Sequence, residues 1–341
     1  MIVVMNPRSS REQVDHVVRL LEGMGVNSHV IEGASQAVVE LLKLDGEFDR
    51  RRLEKAPMVD KVLDNPVPIL AANRSAGDGA QRPREIPLGP RAVIGGKKLG
   101  IIAGPCSVES ESGLLETAAA VADAGAVALR GGAFKPRTSP YSFQGHEERG
   151  LEMLARAREE TGLPIVTEVM CCKHVDCVQP YADVLQVGSR NMHATPLLKA
   201  VGEQEKPVLL KRGWSATLEE FLLAAEYVMH AGNRNVVLCE RGIRTHEEYV
   251  RNTLALAVVP EVKRVSNLPI IVDPSHGTGK AHLVTPMCNA AVACGADGLL
   301  VEVHTAPDRA WSDGAQALDP DQFRSLIKGL KPFADACQRE L

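Results

Sequence analysis

Eight short apolar runs that recur every few dozen residues limit what this chain can fold into. Each run is rich in Val, Ile and Leu, finishes near a polar side chain and is followed by a helical stretch. The runs are Ile101–Cys106, Val127–Gly132, Pro164–Val169, Val184–Gly188, Val208–Gly213, Val236–Gly242, Ile270–His276 and Leu299–His304. A strand followed by a helix is one βα unit, so eight units predict an α/β fold, a (β/α)8 TIM barrel. Because the carboxyl ends of barrel strands meet at one rim, we expect the functional site there.

Composition favours a soluble cytoplasmic protein over a nucleic-acid-binding or membrane protein. The 341 residues suffice for one barrel and a small additional domain, and 45% hydrophobic residues support a full core. The formal net charge of −4 argues against a nucleic-acid partner. No apolar run is long enough to span a membrane, so we expect no membrane association. The eight cysteines contain no CxxC pair, which favours a reducing cytoplasm.

The first 70 residues predict a separate small domain. Strands are expected at Ile2–Met5, Asn27–Ile31, Ala37–Leu42 and Asp60–Leu63, with helices after the capping box Ser10–Gln13 and near Asp49–Lys55. This βαββαβ order is that of a ferredoxin-like α+β fold. Residues 71–96 are rich in Gly, Pro, Arg and Ala and predict a linker, with a short strand Ala92–Ile94 at the barrel floor. The barrel is expected over residues 97–341.

Four potential metal ligands fall at the ends of predicted barrel strands. Cys106 ends the first, His276 the seventh and Glu302 the eighth, and Asp313 lies in the loop that follows. One thiolate, one imidazole and two carboxylates form a mixed donor set that suits Mn, Fe, Co or Zn better than Mg or Ca. A buried cysteine or a strand-end histidine is usually structural when it occurs alone. Their joint placement at one barrel rim favours a divalent transition-metal site.

Cationic side chains are concentrated in the same predicted region. They are Arg130, Lys135, Arg137, Arg190, Lys211, Arg212, Arg241 and Arg244. Guanidinium groups match carboxylate and phosphate oxygens in bidentate fashion, and so much local positive charge requires anions to neutralise it. The sequence therefore predicts a site for one or two phosphorylated, acidic small molecules.

Six motifs together resemble one enzyme family. They are Gly-Pro-Cys-Ser-Val-Glu at 104–109, Leu-Arg-Gly-Gly-Ala-Phe-Lys-Pro-Arg-Thr-Ser at 129–139, Leu-Leu-Lys-Arg-Gly at 209–213, Cys-Glu-Arg-Gly-Ile-Arg-Thr at 239–245, Val-Asp-Pro-Ser-His at 272–276, and Val-Glu-Val-His at 301–304 with Ser-Asp-Gly at 312–314. Residues 97–338 resemble 3-deoxy-D-arabino-heptulosonate 7-phosphate (DAHP) synthase. The subtype is the one related to 3-deoxy-D-manno-octulosonate 8-phosphate (KDO8P) synthase, and the N-terminal unit looks like the ferredoxin-like regulatory domain of some members.

The resemblance implies a condensation of phosphoenolpyruvate with erythrose 4-phosphate that releases DAHP and phosphate, the first step towards aromatic amino acids. A metal at Cys106, His276, Glu302 and Asp313 would polarise the aldehyde. The side chains implied to hold phosphoenolpyruvate are Arg130, Lys135, Arg190, Lys211 and Arg241. Arg137 and Thr138 would bind the sugar phosphate, and Lys135 is also the candidate proton donor to the aldehyde oxygen. Asp273 either orients His276 or binds the sugar hydroxyls.

Three other functions compete with this interpretation. KDO8P synthase takes arabinose 5-phosphate instead, but members typically carry Lys-Ala-Asn-Arg-Ser where this chain has Lys-Pro-Arg-Thr-Ser at 135–139. A Schiff-base aldolase could use Lys211, although the four metal ligands would then be redundant. A non-catalytic metabolite sensor would not need a Lewis acid.

The N-terminal domain is either a structural or oligomerisation appendage or, as the resemblance suggests, a site of feedback by an aromatic amino acid. His29 and Ile31 are the candidate effector residues, and Ile31 stands where some relatives have a small polar residue. Family likeness also implies a homotetramer. The chain departs from its relatives at Ala255, Thr305 and Trp214, where Asp, Pro, and Met or Phe are common.

Overall fold

The computed structural model describes residues 1–32, 37–41, 49–63, 71, 84–90 and 92–341. The chain divides into two compact units, Met1–Asn73 and Arg74–Leu341. Leu42 of the predicted strand Ala37–Leu42 and half of the predicted linker lie outside the described residues. In the described part, no helix has the length and apolar character needed to cross a membrane.

The N-terminal unit is a four-stranded antiparallel sheet with two helices on one face. Its elements are β1 (Ile2–Met5), α1 (Arg11–Glu22), β2 (Ser28–Glu32), β3 (Ala37–Leu41), α2 (Arg50–Glu54) and β4 (Val59–Leu63). The strand order β2-β3-β1-β4 confirms the predicted ferredoxin-like topology. Val17, Leu21 and Leu53 from the helices pack on Val3 and Val39 of the sheet, so alternation along each strand fixes which face meets the helices.

The second unit contains a closed barrel of eight parallel strands, as predicted. The strands are β7 (Gly100–Gly104), β8 (Ala128–Arg130), β9 (Ile165–Glu168), β10 (Val184–Val187), β11 (Val208–Lys211), β12 (Val236–Glu240), β13 (Ile270–Val272) and β14 (Gly298–Glu302). The helices are α3 (Glu111–Asp123), α4 (Glu148–Thr161), α5 (Cys172–Val178), α6 (Thr195–Gly202), α7 (Leu218–His230), α8 (Val258–Val265), α9 (Pro274–Thr278), α10 (Ala281–Ala293) and α11 (Pro320–Ala336). Pairing of β14 with β7 closes the cylinder, so the first and last barrel strands become neighbours.

A short antiparallel hairpin packs on the floor of the barrel. Its strands are β5 (Ile86–Gly89) and β6 (Ala92–Ile94), of which only the second was predicted. Ile86 and Ile94 are fully buried and belong to the same apolar cluster as Ile102 and Leu300, which come from the barrel strands. Burial of one such side chain stabilises the fold by about 1.5–3 kcal/mol, so the hairpin is part of the core.

Several strands end earlier than the apolar runs predict, and the seventh shows why. Strand β13 stops at Val272, and Asp273 caps the one-turn helix α9 by accepting a hydrogen bond from the backbone N–H of His276 at 2.9 Å. Pro274 at the first helical position has no N–H to continue a β-ladder, and its fixed φ suits a helix start. His276 therefore lies in a helical turn rather than at a strand end, as Cys106 lies in the loop beyond β7.

Candidate active site

A cavity of about 300 Å³ opens at the carboxyl ends of the barrel strands. Seven cationic side chains line it: Arg130, Lys135, Arg137, Arg190, Lys211, Arg241 and Arg251. Two carboxylates, Glu168 and Asp313, lie in the same lining with His276 and Thr138. The predicted concentration of positive charge is therefore real and local, in a chain whose formal net charge is −4.

The four predicted metal ligands converge at one side of this cavity. Ligand atoms of Cys106, His276, Glu302 and Asp313 all lie within 4.8 Å of one another. His276 Nε2 is 3.2 Å from Glu302 Oε1, and Cys106 Sγ is 3.4 Å from Asp313 Oδ2. A sulfur, an imidazole nitrogen and two carboxylate oxygens at these spacings fit a tetrahedral or five-coordinate transition-metal ion.

A buried carboxylate fixes the orientation of His276. Asp273 is fully buried and accepts hydrogen bonds from His276 Nδ1 and from Lys211 Nζ, both at 2.7 Å. Burial alone would raise the pKa of Asp273, but the His276 ring and the Lys211 ammonium outweigh it and hold that pKa well below its usual range. Burial lowers the pKa of His276, and with Nδ1 held by Asp273 its Nε2 faces the other ligands. Of the two roles expected for Asp273, the geometry matches orientation of His276.

Glu302 is held from two sides. Its Oε2 accepts a hydrogen bond from Gln316 Nε2 at 2.7 Å, and its Oε1 pairs with Arg130 Nη1. Burial by itself would raise the pKa of Glu302, but His276 and Arg130 more than offset it, so the pKa is lowered and the group is a carboxylate. Arg130 thus links the ligand cluster to the cationic lining of the cavity.

Asp313 reaches the cluster from an unusual backbone conformation. Its φ of 52° lies in the left-handed region, which aspartate and asparagine tolerate better than most residues. Arg251 Nη1 lies 3.3 Å from its Oδ2. Burial opposes ionisation of Asp313, but Arg251 and then His276 dominate, and the pKa falls to about 2. The loop is anchored because the backbone N–H of Trp311 donates to Glu109 Oε1 at 2.7 Å.

The Cys106 thiol lies under the ammonium group of Lys135. Lys135 Nζ donates to Cys106 Sγ at 3.1 Å and to its carbonyl oxygen at 2.9 Å. Burial, followed by the nearby Glu302 charge, raises the pKa of Cys106 to about 11. A bound metal ion would favour the thiolate and reverse this shift.

Three arginines of the cavity have unsatisfied donors. Within the described part of the chain, Arg130 Nε, Arg137 Nη2 and Arg241 Nη1 are buried and have no hydrogen-bond partner. Arg241 is only 3% exposed, and burial lowers its pKa. Buried donors without partners are costly, so these groups are suited to a carboxylate or phosphate.

The loop after β8 carries the residues expected to bind a sugar phosphate. Arg137 Nε donates to the carbonyl of Phe143 at 2.9 Å, and Arg190 Nη2 donates to Thr138 Oγ1 at 3.3 Å. Thr138 is exposed and Arg137 is half-buried, so they belong to the outer part of the cavity. Arg190 connects this loop with the inner cationic lining.

Two predicted rim cations have other surroundings. Arg212 is 7% exposed, donates to Glu240 Oε2 at 2.8 Å and to the carbonyl of Ala216 at 3.0 Å, and so is structural. Arg244 is exposed and lies over the Trp214 ring at 4.6 Å. Two lining residues, Gln186 and Arg251, were not predicted, because neither type is distinctive in sequence and only the fold brings them to the rim. Glu168 was recognised as a strand end but given no role.

Fold and site together define a TIM-barrel enzyme with a cationic cavity beside a cluster of four side chains that could hold a metal ion. The profile of the DAHP synthetase I family matches residues 81–338, and that of the DAHP synthase ferredoxin-like domain matches residues 1–64. The chain belongs to the DAHP synthetase I family and is an enzyme of the DAHP synthase class.

Individual relatives agree with this assignment. Phospho-2-dehydro-3-deoxyheptonate aldolase from Thermotoga maritima is 44% identical over 338 residues, which is 98% of both chains. Its crystal structure has a TM-score of 0.78 with 42% identity and covers 99% of this chain and 98% of that chain. A 2-dehydro-3-deoxyphosphooctonate aldolase from Nitratidesulfovibrio vulgaris is 33% identical over 67% of this chain and 90% of its own length. The resemblance inferred from the motifs is confirmed.

Proposed function

We propose that the cavity condenses phosphoenolpyruvate with D-erythrose 4-phosphate and water, giving DAHP and inorganic phosphate. The observation that carries this proposal is the juxtaposition of two features. A four-donor cluster reaches one wall of the cavity through His276 and Asp313. Beside it lie guanidinium donors of Arg130 and Arg241 that have no partner among the described residues. An aldehyde activator and an enol-phosphate site within one cavity are what this carbon–carbon bond formation needs.

Phosphoenolpyruvate would occupy the inner part of the cavity. The proposed ligands of its carboxylate and phosphate are Arg130, Lys135, Arg190, Lys211 and Arg241. Guanidinium forks can hold both anionic groups in fixed orientation, which brings the methylene carbon towards the aldehyde. They also retain the charged phosphate while water adds at C2 and the C–O bond to phosphate breaks.

The proposed metal ligands are Cys106, His276, Glu302 and Asp313, and Mn, Fe, Co or Zn fits them. Bound there, the ion would supply Lewis-acid polarisation of the aldehyde oxygen. The surrounding residues support this role, because Asp273 orients His276 and Gln316 orients Glu302. These second contacts keep the donor atoms aimed at one point.

The sugar phosphate would bind at the outer loop, through Arg137 and Thr138. Lys135 lines the cavity and its Nζ contacts Cys106, and we propose that it lies between the two substrates. Its ammonium could donate a proton to the aldehyde oxygen as the new carbon–carbon bond forms.

The choice of sugar tests the proposal. Purified enzyme with phosphoenolpyruvate should consume it with erythrose 4-phosphate and release phosphate, and arabinose 5-phosphate should support far less turnover. A preference for arabinose 5-phosphate would assign the enzyme to the KDO8P reaction, towards which the 33% identity to octonate aldolases points. Turnover with neither sugar would favour a metabolite sensor.

A Lys135→Met variant tests the proton donor. We expect turnover to fall by at least about 100-fold, because loss of a general acid typically costs a factor of about 100 to 10,000. Metal content, measured by elemental analysis, should stay near that of the wild type. A variant with near-normal kcat would reject Lys135 as the donor.

The N-terminal unit is proposed to regulate the enzyme through an aromatic amino acid. His29 lies on β2, and Ile31 packs with Val4 and Val38 on the sheet face opposite α1 and α2. This face is the candidate effector surface. Such regulation requires two states of the enzyme that the effector distinguishes. A homotetramer is proposed separately, by family likeness alone.

Removal of residues 1–70 tests the regulatory role. The full chain should lose activity when tyrosine or phenylalanine is added, whereas the remaining barrel should stay active and not respond. Equal sensitivity in both proteins would reject the N-terminal unit as the effector domain. Sedimentation of both proteins would show whether residues 1–70 are required for the proposed tetramer.

A cytoplasmic location is part of the proposal. All eight cysteines are free thiols, and Cys171 and Cys172 are exposed. Exposed free thiols are typical of a reducing compartment. Fractionation of the native cells, with immunodetection of this chain, would test the location directly.

A further inference from the structure

Trp214 lies at the centre of a group of three arginines. It lies three residues beyond the end of β11 and lines the cavity. The guanidinium carbons of Arg244, Arg190 and Arg241 lie 4.6, 5.1 and 5.8 Å from the centroid of its ring. All three distances are within the range of cation–π attraction. One indole therefore contacts three positive charges that come from the loops on both sides of it.

When no substrate is bound, the guanidinium charges of this cluster repel one another. Arg241 is 3% exposed, and among the described residues its Nη1 has no hydrogen-bond partner. Arg190 contacts the hydroxyl of Thr138 rather than a carboxylate. Like charges repel most strongly where they are removed from water, as at the buried Arg241, and without an opposing field this side chain would turn away from the other two guanidinium groups. The negative face of the indole supplies such a field without adding a carboxylate that would repel the substrate.

Backbone hydrogen bonds connect Trp214 and the preceding Gly213 to the adjacent loops. The N–H of Arg244 donates to the carbonyl oxygen of Trp214 at 2.7 Å, which joins the loop after β11 to the loop after β12. Gly213, immediately before Trp214, is itself held by Met192, because its N–H lies 3.0 Å from the Met192 sulfur. The backbone at Trp214 is thus joined to both neighbouring loops.

We propose that Trp214 is a positioning residue that holds Arg190 and Arg241 in the orientation that binds the anionic groups of phosphoenolpyruvate. The proposal rests on the proposed function, because it takes these two arginines as ligands of that substrate. Trp214 acts on substrate affinity and not on the chemical step. Arg244, outside the inner lining, is the third cation held on the same ring and adds to the attraction of incoming anions.

Substitutions at Trp214 separate its electrostatic role from its bulk. Trp214→Met keeps an apolar side chain of useful volume and removes the ring, whereas Trp214→Phe keeps a smaller π-face. Cation–π contacts change a binding constant by a factor of about 2 to 30 each. We therefore expect the KM for phosphoenolpyruvate to rise roughly 10-fold in Trp214→Met and at most about threefold in Trp214→Phe, with kcat within about twofold.

The matched control is Tyr227→Met, which removes an aromatic ring that is 44% exposed on α7. Its KM and kcat should equal those of the wild type. Circular dichroism and thermal unfolding check that each variant is folded. Equal KM values in Trp214→Met and the wild type would overturn the proposal, as would equal effects of Met and Phe or a fall in kcat alone. A wild type that turns over phosphoenolpyruvate with neither sugar would instead overturn the proposed function and this inference with it.

Indole fluorescence gives a readout that loss of packing would not produce. The chain has two tryptophans, so a Trp311→Phe background leaves Trp214 as the reporter. Titration with phosphoenolpyruvate alone should change the emission saturably, because the bound anion offsets the positive field that the guanidinium groups impose on the ring. Inorganic phosphate should produce a smaller change at higher concentration. Unchanged emission at saturating phosphoenolpyruvate would contradict the proposal.

Discussion

The two ends of the barrel bury opposite kinds of side chain, although the same eight strands form both ends. At the floor, Ile86 and Ile94 of the hairpin pack on Ile102 and Leu300 in an apolar cluster. At the mouth, the same strands lead to fully buried charges, among them Asp273 and Glu302. Packing at the floor stabilises the fold because it removes apolar surface from water. Burial of ion pairs is often no better for stability than apolar packing would be.

This difference separates the residues that stabilise the fold from those that act on substrates. The Lys211–Asp273 pair and the Arg130–Glu302 pair are both buried, and each includes a residue of the proposed site. A chain selected only for stability could replace them with apolar side chains. We therefore expect changes at the mouth to affect activity more than stability, and changes at the floor to do the reverse.

The largest expected effect is at the mouth. A Cys106→Ser variant replaces the only sulfur of the ligand cluster and should lose at least about 1,000-fold in activity, as loss of a metal-ion Lewis acid removes several kcal/mol of transition-state stabilisation. The variant should bind less metal, and its unfolding midpoint in chelator should stay close to that of the wild type. Cys172→Ser, at an exposed thiol, is the control and should be fully active. Unchanged metal content and activity in Cys106→Ser would remove Cys106 from the ligand set.

Substitutions at the floor should lower stability and leave activity unchanged. Ile94→Ala truncates a fully buried side chain and should lower the free energy of unfolding by about 2–5 kcal/mol. Its kcat should be unchanged at a temperature where the variant is folded. The control is Val93→Ala on the same strand. The Val93 residue is 37% exposed, so this substitution should change the free energy of unfolding by less than about 0.5 kcal/mol. A floor variant with normal stability and impaired kcat would break the separation between the two ends.

A smaller effect concerns stability at low pH. The pKa of Asp313 falls from 3.8 to about 2 in the folded chain, so its ionised form stabilises the fold above about pH 4 and this contribution is lost as the pH falls. In chelator, the wild type should lose about 1 kcal/mol more than Asp313→Asn between pH 5 and pH 3. Asparagine tolerates the left-handed backbone there, so the substitution isolates the charge.

Urea unfolding at each pH measures this difference. The control is Asp308→Asn, at an exposed aspartate in the same loop, which should follow the wild type. Equal pH dependence in the wild type and Asp313→Asn would mean that Arg251 does not stabilise the Asp313 carboxylate.

Much of the barrel could be predicted from the sequence, because the period of the apolar runs reports burial directly. The convergence of Cys106 and His276 followed from the topology, since strand ends of a barrel share one rim. The one-turn helix that carries His276 was not predicted, because a cap by Asp273 depends on a single hydrogen bond that hydrophobic periodicity does not report. The strand Ile86–Gly89 was missed because its Pro and Gly residues are typical of loops.

Side-chain partners in the site were less predictable than its location. Sequence placed Arg212 with the substrate cations, but the buried Glu240 carboxylate pairs with it. Arg251 gave no signal because its partner Asp313 comes from a distant loop. The number of free donors in the cavity depends on which arginine meets which carboxylate, and only three-dimensional contacts decide that.

The most direct test is phosphoenolpyruvate consumption with erythrose 4-phosphate by enzyme whose metal content is measured in the same sample. Chelator-treated enzyme should be inactive, and Mn should restore activity in proportion to the metal bound, up to one ion per chain. This result would support a metal-assisted condensation at the Cys106–His276–Glu302–Asp313 cluster. Full activity in samples with almost no bound metal would contradict it and leave the cationic cavity without its proposed activator.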